Sequence, residues 1–120
     1  MKFGVWHPFG EASSAAPDVP GLLQARAEAL VPYPRGKSAM VLYAGCRADE
    51  TLQRYLRAAG AEALRRASAH GARWVRFGET AAPERELERL TRQFRDRFGA
   101  PPLANADAAD EPEGARTSNG

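Results

Sequence analysis

The strongest strand signal in the chain is the run Ser38-Ala39-Met40-Val41-Leu42-Tyr43-Ala44-Gly45. Its apolar residues are nearly continuous, which is typical of a strand covered on both faces. A second strand is predicted at Ala72-Arg73-Trp74-Val75-Arg76-Phe77, with Val75 and Phe77 on one face and Trp74 on the other. A weaker signal after Pro20 predicts the first strand, over Gly21-Leu22-Leu23-Gln24-Ala25-Arg26. These runs predict a sheet of three strands.

The segments between the strands carry turn and helix signals. The proline-rich stretch Pro32-Tyr33-Pro34-Arg35-Gly36-Lys37 predicts a hairpin tip or a loop, because each proline removes a ladder donor. Apolar residues at helical spacing over residues 52–67 predict a helix that begins at Ala48 or Asp49. Gly60 interrupts this stripe, so one long helix and two shorter helices fit equally well.

A final helix is bounded by Pro83, which suits a first helical position, and by Gly99, which suits a helix end. Its apolar stripe consists of Leu87, Leu90, Phe94 and Phe98. Glutamates crowd its first turns and arginines follow, an order that complements the helix dipole. The order strand, strand, helix, strand, helix predicts an α+β domain with a short three-stranded sheet flanked by helices.

The two ends of the chain differ from this central part. Residues 1–20 mix turn formers with Phe3, Trp6 and Phe9, and they predict an extended arm packed on the domain, with one helical turn at residues 11–16. Residues 21–105 form the predicted domain. Residues 106–120 are small, polar and acidic without periodicity, and they predict a disordered tail.

Composition limits the classes of protein that the chain can represent. Its 120 residues and 13.0 kDa allow one domain. The single cysteine, Cys46, excludes an internal disulfide framework and a structural zinc site. No run approaches the roughly 20 apolar residues that span a membrane, and the first residues lack the features of a signal peptide. We therefore predict a cytoplasmic protein that does not contact a membrane.

Charge is unevenly distributed along the chain. The net charge is +2, but residues 106–120 hold four acids against one arginine and so carry −3, which leaves +5 on the rest. Arginine outnumbers lysine by 15 to 2. Arginine is the better bidentate phosphate ligand, which would suit a nucleic-acid partner. An arginine-rich and alanine-rich composition is also what a GC-rich genome produces, and this explanation is favoured over a selected phosphate-binding surface.

Several local motifs, in this order, resemble the GIY-YIG nuclease superfamily and its small stand-alone members. The matching stretches are Trp6-His7-Pro8-Phe9 leading to Ala16-Pro17, Pro20-Gly21-Leu22-Leu23-Gln24, Gly36-Lys37-Ser38-Ala39-Met40-Val41-Leu42-Tyr43-Ala44-Gly45, Arg76-Phe77-Gly78-Glu79 and Phe98-Gly99-Ala100-Pro101-Pro102-Leu103-Ala104-Asn105. The resemblance covers nearly all of the chain before the tail. It implies a GIY-YIG-like fold in which the first two strands are antiparallel neighbours, and it implies metal-dependent hydrolysis of phosphodiester bonds in DNA.

The resemblance also assigns roles to residues. A tyrosine, Tyr43, would help to activate water, and an arginine on the first helix, Arg54 or Arg57, would stabilise charge on the phosphate. One glutamate of the last helix would hold Mg²⁺ or another divalent cation. Glu86 is favoured for that role because it is paired with Leu90 one turn on, and the alternatives are Glu84 and Glu88. Gly21, Gly45 and Asn105 match motif positions with a structural role, Asn105 by pinning the chain end near the site.

The first motif departs from the family pattern. In the register Gly21-Leu22-Leu23, the family's tyrosine is replaced by Leu23, which has no hydroxyl for proton transfer. A rival register over Val31-Pro32-Tyr33 restores a tyrosine, although its prolines argue against a strand there. The histidine often found in the first helix is also missing.

Two functions follow as hypotheses. The chain is either a metal-dependent endonuclease or a catalytically inactive relative that binds nucleic acid or protein. For a binding role, the candidate phosphate ligands are Arg65, Arg66, Arg73, Arg76, Arg89, Arg92 and Arg95. If these arginines converge, affinity should fall steeply with salt, and deleting the acidic residues 106–120 should tighten binding. The alternative is that they are spread over the surface and paired with local acids.

Overall fold

The computed structural model describes residues 1–110, and the side chains of residues 1–107. The elements are β1 (His7–Pro8), a 3₁₀ turn (Phe9–Glu11), α1 (Ala12–Ala15), β2 (Gly21–Tyr33), β3 (Gly36–Gly45), α2 (Leu52–Leu56), α3 (Ala59–Ala69), β4 (Ala72–Glu79), α4 (Pro83–Phe98) and α5 (Leu103–Asp110). The predicted α+β class is confirmed. Within residues 1–110, no helix combines the length and the apolar character needed to cross a bilayer.

The sheet is antiparallel throughout, with the strand order β1-β4-β2-β3. The expected pairing of the first two long strands is confirmed, since Leu22 lies opposite Gly45 and Gln24 opposite Tyr43. The prediction of three strands was wrong, because part of the N-terminal arm pairs with β4 as a fourth strand. An isolated bridge between Phe3 and Gly78 extends this contact. The arm is therefore an edge of the sheet.

The hairpin between β2 and β3 is longer than the sequence predicts. β2 continues through Pro32 to Tyr33, and the turn follows at residues 34–35. Pro32 is tolerated because the pairing of β2 with β4 ends at Ala27, so β2 has only β3 as a neighbour there. Gly36 has a φ of 136°, a backbone conformation that a side chain would strain.

The middle of the chain forms two helices and not one. α2 begins at Leu52, later than predicted, because the Thr51 hydroxyl accepts a hydrogen bond from the Arg54 N–H and so caps the helix. α3 follows after a break at residues 57–58. A Cβ at Gly60 would lie 2.7 Å from the Tyr55 ring, so only glycine lets the two helices approach this closely.

One face of the sheet, which we call the inner face, is covered by α1, α2, α3 and α5. Leu23, Ala25, Val75 and Phe77 of the sheet are buried there, and the strand alternation predicted for Val75 and Phe77 is confirmed. The helices contribute Ala12, Leu52, Leu56, Ala63, Ala67 and Ala104. The inner face is therefore the main hydrophobic core.

The C-terminal helices lie on different sides of the sheet. α4 has the bounds that the sequence predicts, and Gly99 ends it with a φ of 85°. α5 continues past Asn105, so residues 106–110, which the sequence predicts to be disordered, are helical. Arg66 donates to the Ala104 carbonyl, and the His70 Nε2 lies 2.6 Å from the Asp107 Oδ2. Both contacts hold α5 against α3. The rest of the predicted tail, residues 111–120, lies outside the described residues.

Candidate functional site

The second face of the sheet carries polar side chains at its centre. Because side chains alternate along a strand, Gln24 and Arg26 of β2 point away from the inner face. Their cross-strand partners form two rows: Gln24 lies between Arg76 and Tyr43, and Arg26 lies opposite Trp74. We call these five residues the arginine face. The neighbouring strands β2 and β4 thus place two guanidinium groups on one surface, and β3 adds Tyr43.

The N-terminal arm folds its aromatic rings over this surface. The guanidinium of Arg76 lies 4.4 Å from the centre of the Trp6 ring and 5.0 Å from that of Phe3. The guanidinium of Arg26 lies 4.6 Å from the same Trp6 ring. Each such cation–π contact contributes about 0.5–2 kcal/mol, depending on how far it is desolvated. Trp6 therefore holds two cations side by side.

Arg26 and Arg76 have no counter-charge among the residues that the structure describes. None of the ion pairs among the described residues involves Arg26 or Arg76. The Nε of Arg76 donates to the Gln24 amide oxygen at 2.7 Å, but the buried Nε of Arg26 has no hydrogen-bond partner in the described part of the chain. Burial lowers the pKa of Arg76, and the nearby charge of Arg26 lowers it further. An anion placed here would relieve both effects.

Tyr43 closes the other side of the arginine face. Its ring packs edge-on against Phe94 of α4, with the ring centres 5.7 Å apart. Burial raises the pKa of the Tyr43 hydroxyl above its usual value, although the charge of Arg76 opposes this rise. The hydroxyl is therefore protonated at neutral pH, where it can donate a hydrogen bond to an anion but is a poor base.

Asn105 fixes the strand that carries Tyr43. Its side-chain oxygen accepts from the Tyr43 N–H at 2.9 Å, and its amide nitrogen donates to the Tyr43 carbonyl at 2.8 Å. β3 is the last strand of the sheet, so these two backbone groups have no strand partner on that side. Asn105 thus binds the free edge of β3 and holds α5 against it, as the resemblance implies for a residue that pins the chain end.

Replacing Asn105 with alanine is expected to lower the free energy of unfolding by about 1–3 kcal/mol, because both part-buried backbone groups of Tyr43 lose their partner. Asn105→Asp keeps the acceptor and loses the donor, so a smaller loss is expected. Urea denaturation of the three proteins measures the difference. Equal stability of all three would show that solvent replaces Asn105 without cost.

The glycines of the two matching motifs are required by close packing. A Cβ at Gly21 would lie 2.2 Å from the Gly78 carbonyl oxygen, and one at Gly45 would lie 2.3 Å from the Leu22 side chain. Leu23, by contrast, is fully buried on the inner face, so the sheet separates it from Tyr43. Gly21 and Gly45 therefore have a packing role in the sheet, and Leu23 belongs to the hydrophobic core.

Tyr33 is the tyrosine of the alternative register for the first motif, and its contacts are with the strands and helices around it. Its hydroxyl donates to the Met40 carbonyl at 2.7 Å and accepts from the Leu103 N–H at 3.1 Å. Its ring packs against Phe94 and Phe98. Burial raises the pKa of Tyr33. Its hydroxyl therefore joins β3 to α5, and its own proton is already donated to the Met40 carbonyl.

The other residues of the implied catalytic set are not brought to Tyr43. Arg54 and Arg57 are exposed on and directly after α2, which packs on the inner face through Leu52 and Leu56. They therefore lie across the sheet from the Tyr43 ring.

The three candidate glutamates all lie on α4. Glu86 is the most buried, at 23% exposed against 78% for Glu88, while Glu84 is exposed. The hydrogen bond from Arg89 lowers the pKa of Glu86, and the chain's amino terminus adds to this effect. Within the described residues, no three His, Cys, Asp or Glu side chains come together as a metal site. A cation bound among these residues would thus have at most two such ligands and would keep most of its own waters.

The arginines proposed as phosphate ligands do not form one patch. Arg65 pairs with Glu62, Arg89 with Glu86 and Arg92 with Glu88, each three or four residues away on the same helix. Arg66 binds the Ala104 carbonyl, and Arg95 is exposed near the end of α4. Arg73 is exposed at the start of β4. Of this set, only Arg76 lies on the arginine face.

Sequence reasoning missed Arg26, Gln24 and the role of Trp6. The alternation of Leu23 and Ala25 with Gln24 and Arg26 was the available signal, since it places two polar side chains on the face opposite the core. The position of Trp6 depends on the pairing of the arm with β4, which no local pattern reveals.

No protein-family model matches the chain, and neither a curated protein nor a solved structure matches it. Function is therefore inferred from the geometry of the site.

Proposed function

We propose that the chain is a nucleic-acid-binding module that holds the phosphodiester backbone on the arginine face and does not cleave it. The observation that carries this proposal is the pair Arg26 and Arg76, two half-buried guanidinium groups without a carboxylate partner among the described residues. In the terms of the resemblance, the module is a GIY-YIG-like domain with a degenerate site.

The electrostatics favour a phosphate as the ligand. Two cations held together in a partly desolvated place repel each other, and neither loses its proton because arginine stays charged in proteins. A phosphate supplies the missing charge and accepts bidentate hydrogen bonds from the planar guanidinium. The buried Nε of Arg26 has no hydrogen-bond partner among the described residues, and Gln24 already orients Arg76. Trp6 fixes both side chains in advance, which lowers the entropy lost on binding.

The placement of the catalytic candidates argues for binding without hydrolysis. Leu23 offers no hydroxyl, and Arg54 and Arg57 belong to the opposite side of the sheet. Glu86 is engaged with Arg89. Water activation and charge stabilisation need their groups within hydrogen-bond reach of one phosphate.

A metal-dependent endonuclease is the second candidate, favoured by one observation. Tyr43 and Arg76 lie on the same face and close enough for the arginine charge to lower the pKa of the tyrosine. In that function Tyr43 would contact the attacking water, Arg76 would replace the helical arginine, and Glu86 would hold Mg²⁺.

Binding and cleavage are tested separately with the same protein. A labelled oligonucleotide of about 12 nucleotides, single-stranded or as a duplex, is titrated at about 50 mM salt, and supercoiled plasmid is incubated with Mg²⁺. We expect binding and no nicking. Nicking that is lost in both Glu86→Ala and Tyr43→Phe would establish the endonuclease instead. Absence of binding to either oligonucleotide would overturn the nucleic-acid function and favour a protein-binding module.

A further inference from the structure

A groove opens beside the arginine face. It encloses about 300 Å³ between the start of β4 and the 3₁₀ turn, and it is lined by Pro8, Phe9, Gly10, Ala72, Arg73 and Trp74. Trp74 is half-buried and lines this groove. Arg73 is exposed beside it and has no ion-pair partner among the described residues.

The groove and the arginine face share one residue, Trp74. Trp74 lies directly opposite Arg26 across the strand pair, where side chains are about 5 Å apart at Cβ. Arg76 follows two residues along the same strand, about 7 Å away and on the same face. The register therefore sets the Cβ of Trp74 about 5 Å from that of Arg26 and about 7 Å from that of Arg76. Stacking platforms next to cationic grooves are how proteins bind single strands without reading sequence.

We propose that this surface binds single-stranded nucleic acid, with one base stacked on Trp74 in the groove and the adjoining phosphate held by Arg26 and Arg76. The inference rests on the proposed function and names its substrate class. Positive charge selects a phosphodiester chain over an uncharged ligand. A duplex keeps its bases stacked inside the helix, so it reaches the arginines but leaves Trp74 unused unless a base is extruded at additional cost.

The aromatic residues have different roles in this arrangement. Trp6 is a positioning residue, because its ring is occupied by the two guanidinium groups. Trp74 has no such cation over its ring among the described residues, which leaves a face for a base.

The test compares oligothymidylate of about 12 nucleotides with a duplex of the same length by fluorescence anisotropy, using the full chain. The variants are Trp74→Leu, which keeps an apolar side chain without a ring, and Trp74→Phe, which keeps a ring. Thermal unfolding followed by circular dichroism checks that each variant folds. We expect the wild type to prefer the single strand, Trp74→Leu to lose at least about fivefold in single-strand affinity, and Trp74→Phe to lose less. Duplex affinity should not change in either variant.

The outcomes separate this inference from the proposed function. A wild type that binds duplex as well as single strand, or equal single-strand affinity in the leucine and phenylalanine variants, would overturn base stacking and leave phosphate binding standing. If the leucine variant does not fold, base stacking is still tested by the preference of the wild type for single strand over duplex and by the single-strand affinity of the phenylalanine variant. No binding of either oligonucleotide would overturn both proposals. Oligouridylate in place of oligothymidylate shows whether the strand is RNA or DNA.

Discussion

Replacing Arg26 and Arg76 together with glutamine is expected to weaken single-strand binding by about 100-fold and to leave the protein folded. A hydrogen bond to a charged group contributes about 1.5–3 kcal/mol, which is tenfold or more for each arginine. The single variants should each lose about tenfold, and two independent losses multiply to about 100-fold. A departure from 100-fold in the double variant measures the coupling through Trp6, which contacts both guanidinium groups.

The free energy of unfolding should change far less than the binding affinity when these arginines are replaced. The two arginines repel each other and lack a counter-charge among the described residues, so removing one charge relieves repulsion even as it removes a contact with Trp6. We expect Arg76→Gln to be as stable as the wild type within about 1 kcal/mol. Arg47→Gln is the matched control, since Arg47 is 71% exposed and pairs with Asp49. If this control loses as much affinity as Arg76→Gln, binding follows total charge and not the arginine face.

Restoring a tyrosine at position 23 is expected to destabilise the protein without conferring nuclease activity. Leu23 is 0% exposed on the inner face. A tyrosine there overpacks the core, at a cost of about 1–3 kcal/mol, and buries a hydroxyl that has no designed partner, at a further cost of about 1–3 kcal/mol. Its hydroxyl would face the helices, on the opposite side of the sheet from Tyr43.

Urea denaturation and the plasmid-nicking assay measure both parts of this expectation. Leu23→Met conserves volume and should cost less than about 1.5 kcal/mol, so it is the control for disturbance of the core. A stable Leu23→Tyr protein that nicks plasmid with Mg²⁺ would show that this position does reach the catalytic side of an endonuclease.

Local signals in the sequence predicted the elements whose causes are local. β3 is a continuous apolar run. α4 carries its own start and stop signals, with Pro83 at its first position and Gly99 after its last. The long hairpin was missed because the absence of a second neighbour makes Pro32 acceptable in β2, and that absence is a property of the sheet. β1 and α5 were missed for the same reason, since each is fixed by partners far away in the chain, such as Val75 for His7 and Tyr43 for Asn105.

The candidate site was predicted in part. The resemblance indicated Tyr43 and a pinning role for Asn105, and the charge distribution indicated Arg76 as one of several phosphate ligands. The structure places Tyr43 and Arg76 on the arginine face, and Asn105 bonds the backbone of Tyr43 at the edge of β3. The sequence did not show which arginines are neutralised. The spacing of Glu62 and Arg65, and that of Glu86 and Arg89, indicates ion pairs along one helix, so these arginines could have been set aside from the sequence. The position of Arg26 beside Arg76 depends on how β2 and its neighbouring strands are paired, which the sequence alone does not show.

The salt dependence of single-strand affinity tests phosphate binding by the arginine face most directly. The logarithm of the binding constant is measured against the logarithm of salt concentration, from about 50 to 200 mM, for the wild type and for the Arg26→Gln, Arg76→Gln double variant. Each neutralised phosphate contributes about −0.7 to the slope on a single strand, and the two arginines hold one phosphate between them, so the slope of the double variant should be smaller in magnitude by about 0.7. Parallel lines for the two proteins would show that Arg26 and Arg76 contact no phosphate, and would contradict the proposed function.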